Sequence, residues 1–282
     1  MTVAALLGAS CAMLGNGSPP PVTIGVQDVR RWWILIGDSN SLESIDWGHQ
    51  ARDTQMVILS DDPRIRLDDL PRQTLRLGYL SVGETNPRGR HWGAVHDQAF
   101  LVEPNPNWPE NVRVDLRDRS WQQLLLADEV PRLLQHGFQG LMLDTIDTAP
   151  YLERQDPARF AGSRQALRDW MAELRRRNPG AVLLANGTDA LTDAAPYVDG
   201  YVVEGVFATY DFARKSYRPT TDVERAWKLG RIADARAVAA RPVFTIEYAS
   251  VGDVALGAWA AGESESHGFH PYVTVMEINS LP

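Results

Sequence analysis

Eight short apolar runs, rich in β-branched and aromatic residues, recur along this 282-residue chain and constrain its fold more than any other feature. Their apolar character is mostly continuous instead of alternating, which is typical of parallel strands covered on both faces. We predict strands over 32–38, 56–61, 75–84, 140–147, 182–187, 200–207, 243–249 and 272–279.

Helical patterns lie between several of these runs. Ser163 is expected to cap one helix, and Thr221 is expected to cap another that covers 223–240. A third helix is predicted over 121–136, where Pro131 should kink or restart it. Strands that alternate with helices, eight in number, predict an α/β protein with a closed (β/α)8 TIM-type barrel, and an open doubly wound sheet is the alternative.

The first 21 residues differ from the rest of the chain. They begin with a small, apolar stretch and continue into a Gly/Pro linker, a composition similar to an export signal. The stretch is too short to span a bilayer, so we expect a protein exported to the periplasm or the medium. A lipid anchor on Cys11 and a plain N-terminal tail are the alternatives. Residues 22–282 are expected to form a single catalytic domain that acts as a monomer.

Charge and motif content exclude several classes of function. The formal net charge is −8, from 36 acids against 28 bases, which argues against binding to nucleic acid. With Cys11 as the single cysteine, no intrachain disulfide is possible. The sequence has no GxSxG elbow and no glycine-rich phosphate loop, so we expect no cofactor. His267 and His270 lie three residues apart without a clear third ligand, so we expect no metal site.

Polar residues close nearly every predicted strand. Because all strands of a (β/α) barrel end at the same face, where active sites lie, these side chains should converge on one cleft. A single acid at a strand end is more often a cap or an ion-pair partner, and Asp38 and Asp61 are interpreted as turn residues. The full set is Asp38, Asp61, Glu84, Asp144, Asp147, Asn186, Glu204, Glu247 and Glu277.

The longest irregular stretch, 85–119, is expected to be a loop that shapes this cleft. Two of the nine tryptophans, Trp92 and Trp108, lie in it and are candidates for stacking on sugar rings. Core packing is the alternative role for the tryptophans.

Five motifs, in order, resemble glycoside hydrolase family 114 over roughly residues 30–280. They are GYLSVGE, GFQGLMLDTIDT, LLANG, GYVVEGVF and FTIEYAS. The resemblance implies a (β/α) barrel that cleaves α-linked, partly deacetylated galactosamine polymers, as endo-α-1,4-polygalactosaminidases do. Two positions depart from the family pattern: the first strand lacks it, and Glu247 stands where aspartate is commoner.

The same resemblance implies roles for individual residues. Asp144, on the fourth strand, is expected to be the nucleophile of a retaining mechanism, and Glu204, on the sixth, the general acid/base; the reverse assignment stays open. Substrate-binding roles, or structural ones instead, are expected for Tyr79, Glu84, Trp92, Asp147, Asn186, Glu247 and Tyr248.

Three other functions remain compatible with the sequence. The first is a barrel glycosidase for another α-linked glycan, and the second is a carbohydrate-binding barrel without catalysis. The third is a metal-dependent deacetylase or phosphodiesterase, which would lose activity to a chelator.

Overall fold

The computed structural model describes residues 24–37, 42–279 and 281. The signal-like segment with Cys11, and the predicted turn residue Asp38, lie outside these described residues. Among the described helices, none combines the length and the apolar character that crossing a bilayer requires.

Eight parallel strands form one sheet in which the spatial order follows the chain. β1 and β8 lie side by side, because Trp32 Nε1 donates to the carbonyl of His270 at 3.0 Å and the Ile36 amide donates to that of Ile278 at 3.1 Å. The sheet is therefore a nearly closed barrel, and the (β/α)8 prediction is confirmed over the open sheet. Strands β1 to β8 are Trp32–Leu35, Met56–Leu59, Leu75–Ser81, Gly140–Asp144, Val182–Asn186, Gly200–Glu204, Val243–Tyr248 and His270–Thr274.

The continuous apolar runs correspond to strands that are buried on both faces. Every residue of β1, of β2 and of β7 is buried. Trp33, Trp47 and Trp170 are fully buried, so core packing accounts for these three tryptophans.

The helices between the strands form the outer layer of the barrel. Among the described residues they are, as α1 to α9, Trp47–Gln50, Trp92–Val95, Arg119–Leu124, Val130–His136, Thr148–Gln155, Ser163–Arg177, Leu191–Ala194, Asp222–Val238 and Val254–Ser266.

All three predicted helices are present, and the predicted cap of one of them is wrong. Thr221 caps α8 through a capping box with Glu224. Pro131 lies in the first turn of α4, which restarts after a π-helical turn, because proline lacks the amide that an interior position would need. Gly162, with φ of 85°, precedes α6, and Ser163 Oγ donates to the Phe160 carbonyl at 2.8 Å instead of capping the helix.

Two excursions leave the carboxyl ends of the strands. The stretch predicted to be an irregular loop contains α2 and a three-stranded antiparallel sheet, so that prediction was wrong in its local structure. We call residues 84–114 the β3 insert, and its strands are Glu84–Thr85, Leu101–Pro104 and Val112–Val114. A second excursion, the β6 hairpin, pairs Ala208–Asp211 with Ser216–Pro219.

Candidate active site

A cavity of about 600 Å³ opens where the barrel strands end. Seven of the nine predicted site residues line it, although they come from six different parts of the chain. They are Tyr79, Glu84, Asp144, Asp147, Asn186, Glu204 and Tyr248.

The backbone turns sharply after three of these side chains. In each case the next residue has a positive φ: Thr145 (58°) after Asp144, Gly187 (141°) after Asn186 and Gly205 (56°) after Glu204. This turn ends the strand directly behind the polar side chain. A β-branched threonine in this region is strained, by about 1–3 kcal/mol, and such strain is concentrated at functional sites.

Hydrogen bonds hold both oxygens of the Asp144 carboxylate. Tyr79 Oη donates to Oδ2 at 2.7 Å, and the Thr145 amide donates to Oδ1 at 2.7 Å. The strained Thr145 is itself anchored, because its Oγ1 accepts from the Gly83 amide at 2.8 Å. Burial, and then the nearby charge of Glu204, raise the pKa of Asp144 to about 8. This shift favours the protonated form of Asp144 at neutral pH.

Glu204 is held in the same way on the other side of the cavity. Asn186 Nδ2 donates to its Oε1 at 2.6 Å, and Tyr248 Oη donates to its Oε2 at 2.5 Å. Behind it, Lys228 Nζ donates to the backbone carbonyls of Glu204 and Gly205, both at 2.7 Å. Burial lowers the pKa of Lys228. The lysine thus fixes the turn that presents the carboxylate.

Two further acids, Asp147 and Glu84, line the cavity. Burial, followed by the charge of Glu204, raises the pKa of Asp147 to about 7. Glu84 is also buried, which raises its pKa, and its two oxygens accept from Asn105 at 2.8 Å and from Asn111 at 3.2 Å. Among the described residues that line the cavity, five are acidic and one is a lysine. This balance favours a cationic ligand.

The structure places two predicted site residues outside the cavity. Glu247 is fully buried, and its Oε2 accepts from the amides of Phe207 and Ala208, both at 2.9 Å. The reason is register: Ile246 pairs with Glu204, so alternation along β7 turns Tyr248 toward Glu204 and Glu247 to the opposite face.

Trp92 is the other correction. It lies half-buried on α2, where its ring contacts His96, and it is absent from the residues that line the cavity. Trp108, from the same insert, does line the cavity and is 41% exposed. Of the two candidate tryptophans, Trp108 is therefore the one that lines the cavity, and its stacking on a sugar ring stays a prediction.

Sequence reasoning missed several residues that line the cavity, among them two asparagines, a tryptophan and a lysine. Asn105 and Asn111 belong to the β3 insert, and Trp227 and Lys228 belong to α8. A signal was present for Lys228, because arginine otherwise supplies nearly all of the 28 basic residues of this chain. The asparagines carried none, since amides in a Pro-rich stretch are ordinary turn residues.

One group of described side chains is close enough to hold a metal ion: His91, Asp128 and Glu129. It does not include His267 or His270. Arg90 already pairs with both carboxylates, at 2.7 and 3.2 Å, and Arg132 pairs with Glu129 at 2.6 Å. The acids are neutralised by arginines, and the group lies outside the cavity.

The chain matches Glycoside-hydrolase family GH114 over residues 67–281, about three quarters of its length. The protein belongs to glycoside hydrolase family 114. It is 30% identical over 214 residues to an uncharacterized protein of Deinococcus radiodurans, and 22% identical over 143 residues to one of Thermotoga maritima. These matches cover 73% and 46% of this chain, and 65% and 44% of the relatives, so each spans less than two thirds of the relative.

Solved structures share the barrel. The glycoside hydrolase domain of PelA from Pseudomonas aeruginosa superposes with a TM-score of 0.75 at 24% identity, over 90% of this chain and 97% of that one. Aspergillus fumigatus Ega3, solved in complex with galactosamine, gives 0.62 at 16% identity, over 94% and 98%. An α-galactosidase from Thermus thermophilus gives 0.52 at 14% identity, over 94% and 60%. Identities this low establish a common fold.

Proposed function

We propose that this family 114 member hydrolyses α-linked, galactosamine-containing polysaccharide with two carboxylates, Asp144 and Glu204. One observation carries the proposal: the two acids line the same open cavity from β4 and β6, and each is held by two hydrogen-bond donors. Glycoside hydrolysis requires such a pair, with one carboxyl ionised and the other protonated.

In the proposed retaining mechanism, an Asp144 oxygen attacks the anomeric carbon while the glycosidic C–O bond breaks. Glu204 gives its proton to the departing oxygen. In the second step Glu204 takes a proton from water, the water oxygen bonds to the anomeric carbon, and Asp144 leaves. The hydrogen bonds from Tyr79 and Thr145 stabilise the carboxylate that is released.

The raised pKa of Asp144 supports the reverse assignment, in which Asp144 carries the proton. Chemical rescue separates the two. With azide and an activated α-glycoside, an Asp144→Gly enzyme should form the β-glycosyl azide if Asp144 is the nucleophile. A Glu204→Ala enzyme should form the α-glycosyl azide if Glu204 is the acid/base. If the Asp144 variant forms the α-glycosyl azide and the Glu204 variant forms the β-glycosyl azide, the roles of the two acids are reversed.

Recognition of the amino sugar is assigned to the acidic lining. Asp147 contacts no arginine in the described ion pairs and faces the cavity, so it is the proposed partner of a substrate ammonium group. Tyr79 and Tyr248 supply flat surface at the sugar next to the cleaved bond, and Asn186 orients Glu204. Glu84 has both oxygens engaged by Asn105 and Asn111, so it holds the wall of the cavity.

A polysaccharide panel tests the substrate. Deacetylated galactosaminogalactan should release reducing ends, and fully acetylated or neutral α-glucans should not. If only another α-linked glycan is hydrolysed, that glycan replaces the galactosamine-containing polymer as the proposed substrate. Binding without hydrolysis would favour a carbohydrate-binding barrel, and activity lost to a chelator would favour a metal-dependent deacetylase or phosphodiesterase. The anomer first released, read by proton NMR, tests retention.

We also propose that the protein acts outside the cytoplasm as a monomer. The apolar segment and linker over residues 1–21 support export. Cell fractionation of the full chain and of a chain without residues 1–21 tests export. Sedimentation velocity tests the oligomeric state.

A further inference from the structure

Aromatic side chains form a continuous row on the β6 hairpin. Tyr210 and Tyr217 face one another across its two strands, with ring centroids 5.1 Å apart. Phe212, in the turn of the hairpin, packs against Tyr210 at 5.2 Å. Rings that interlock in this way give a two-stranded hairpin a rigidity that such hairpins lack alone.

Both ends of this row contact loops of other barrel strands. Phe212 contacts Trp108 of the β3 insert at 5.8 Å, and Tyr217 Oη accepts from the Met276 amide, after β8, at 3.1 Å. Two strands separate β3 from β6 in the sheet, so a contact between their loops passes over the barrel mouth. The row therefore connects two residues that line the cavity, Trp108 and Met276, and its own members lie behind that lining.

Trp108 is the member of this contact that lines the cavity together with Asp144 and Glu204. Its contact with Phe212 is T-shaped, with 79° between the rings, which leaves at least one face of the indole uncovered. A flat apolar ring with an exposed face complements the apolar side of a pyranose.

The turn that carries Trp108 is built to hold it still. The Asn105 amide donates to the Asn111 carbonyl at 2.7 Å, and the Asn111 amide donates to the Trp108 carbonyl at 2.8 Å. The side chains of both asparagines donate to the buried Glu84. Glu84 thus ties this turn to the wall of the cavity, and Phe212 contacts the ring of Trp108.

We propose that Trp108 is a sugar-binding platform, held by Phe212 and the Glu84-anchored turn, for a residue of the polymer beyond the sugar at the cleaved bond. This rests on the proposed hydrolase function. Trp108 makes none of the described hydrogen bonds to the carboxylates Asp144 and Glu204, so it acts on binding of the chain and leaves the bond-breaking step alone. It selects for long substrates and sets the lengths of the products.

The test compares four variants: Trp108→Ala, Trp108→Phe, Phe212→Ala and Trp92→Ala. Each is assayed on a short aryl α-galactosaminide and on galactosamine oligosaccharides of increasing length. Trp108→Ala should raise KM about tenfold on the long chains, the effect of one lost stacking contact, and leave both constants on the short substrate within about twofold. Trp108→Phe should recover part of the loss, and Phe212→Ala should lose less than Trp108→Ala.

Trp92→Ala is the matched control, because Trp92 lies in the same insert but outside the cavity. Equal behaviour of the Trp108→Ala and Trp92→Ala enzymes at every length would overturn the proposal. So would a loss of kcat on the short substrate that equals the loss on long chains, since that indicates a structural role. The product lengths, separated by electrophoresis, should shift in Trp108→Ala and stay unchanged in Trp92→Ala.

If the wild-type protein hydrolyses no galactosamine chain, the proposed function fails and the platform is tested by binding. Wild-type and Trp108→Ala proteins are then titrated calorimetrically with neutral, acidic and cationic oligosaccharides of two lengths. Length-dependent binding that Trp108→Ala loses supports the platform. Equal binding by both proteins, or binding by neither, overturns it.

Discussion

Two places in this barrel hold carboxylates near strand ends, and they differ in what faces the acid. At the ends of β4 and β6, Asp144 and Glu204 are half-buried and line a cavity, and each accepts a hydrogen bond from a tyrosine hydroxyl. In β7, the fully buried Glu247 accepts from the amides of Phe207 and Ala208 and is absent from the residues that line that cavity.

Burial raises the pKa at both places, to about 8 for Asp144 and to about 7 for Glu247. A raised carboxyl pKa therefore does not by itself mark a catalytic acid in this protein. The difference lies in the partners: Glu247 satisfies the backbone amides at the start of the β6 hairpin, which would otherwise be buried without an acceptor. Access to the cavity, more than titration, separates Asp144 and Glu204 from Glu247.

The test with the largest expected effect replaces the carboxyl group of each acid with an amide. Asp144→Asn and Glu204→Gln should each lower kcat by about a thousandfold or more, because the ionised nucleophile or the proton donor is lost. Circular dichroism and the melting temperature should show both variants folded. Glu247→Gln, the control, should keep kcat within about threefold. Comparable losses in all three would erase the distinction between the two places.

The pH dependence should follow the Asp144–Glu204 pair. Catalysis needs one proton on the pair, and above the pKa of Asp144, about 8, that proton is lost. The value of kcat/KM should then fall about tenfold per pH unit above pH 8. A profile of kcat/KM that stays flat to pH 10 would contradict this reading.

Lys228 extends the comparison to the support behind Glu204. Lys228→Met removes the two hydrogen bonds that hold the turn at Glu204 and Gly205 while keeping a side chain of similar length. We expect kcat to fall about 10- to 100-fold, as for other small displacements of a reacting group. Lys215→Met is the control, since Lys215 is exposed in the β6 hairpin. An unchanged kcat in Lys228→Met would show that the turn at Glu204 and Gly205 keeps its position without the lysine.

We expect Glu247 to affect the stability of the folded protein and not the rate of catalysis. Its folded pKa, about 7, lies above the ordinary glutamate value of 4.5, so the folded state binds more protons between these values and stability falls as pH rises through this range. The contribution lost by pH 7 is at most about 3 kcal/mol. Denaturant unfolding at pH 5 and pH 7.5 should show a smaller decline for Glu247→Gln than for the wild-type protein. Equal declines would place the pH dependence elsewhere.

Much of the fold could be predicted because its signals are local. The apolar runs identified all eight barrel strands, and Thr221 with Glu224 marked the start of α8. The β3 insert and the β6 hairpin were missed, since their short strands are rich in turn residues and are only half-buried. Such strands are stabilised by contacts with distant parts of the chain, which no window of sequence contains.

The sequence alone determined that polar side chains would meet at one end of a barrel, because parallel strands that alternate with helices must all end on the same face. Only the tertiary structure decided which of them open onto the cavity. Register between β6 and β7 directs Tyr248 to Glu204 and Glu247 away from it, and the folding of the β3 insert brings Trp108 to the cavity and leaves Trp92 outside. Side-chain direction alternates at every residue of a strand, so it depends on pairing with neighbours that lie far away in the chain.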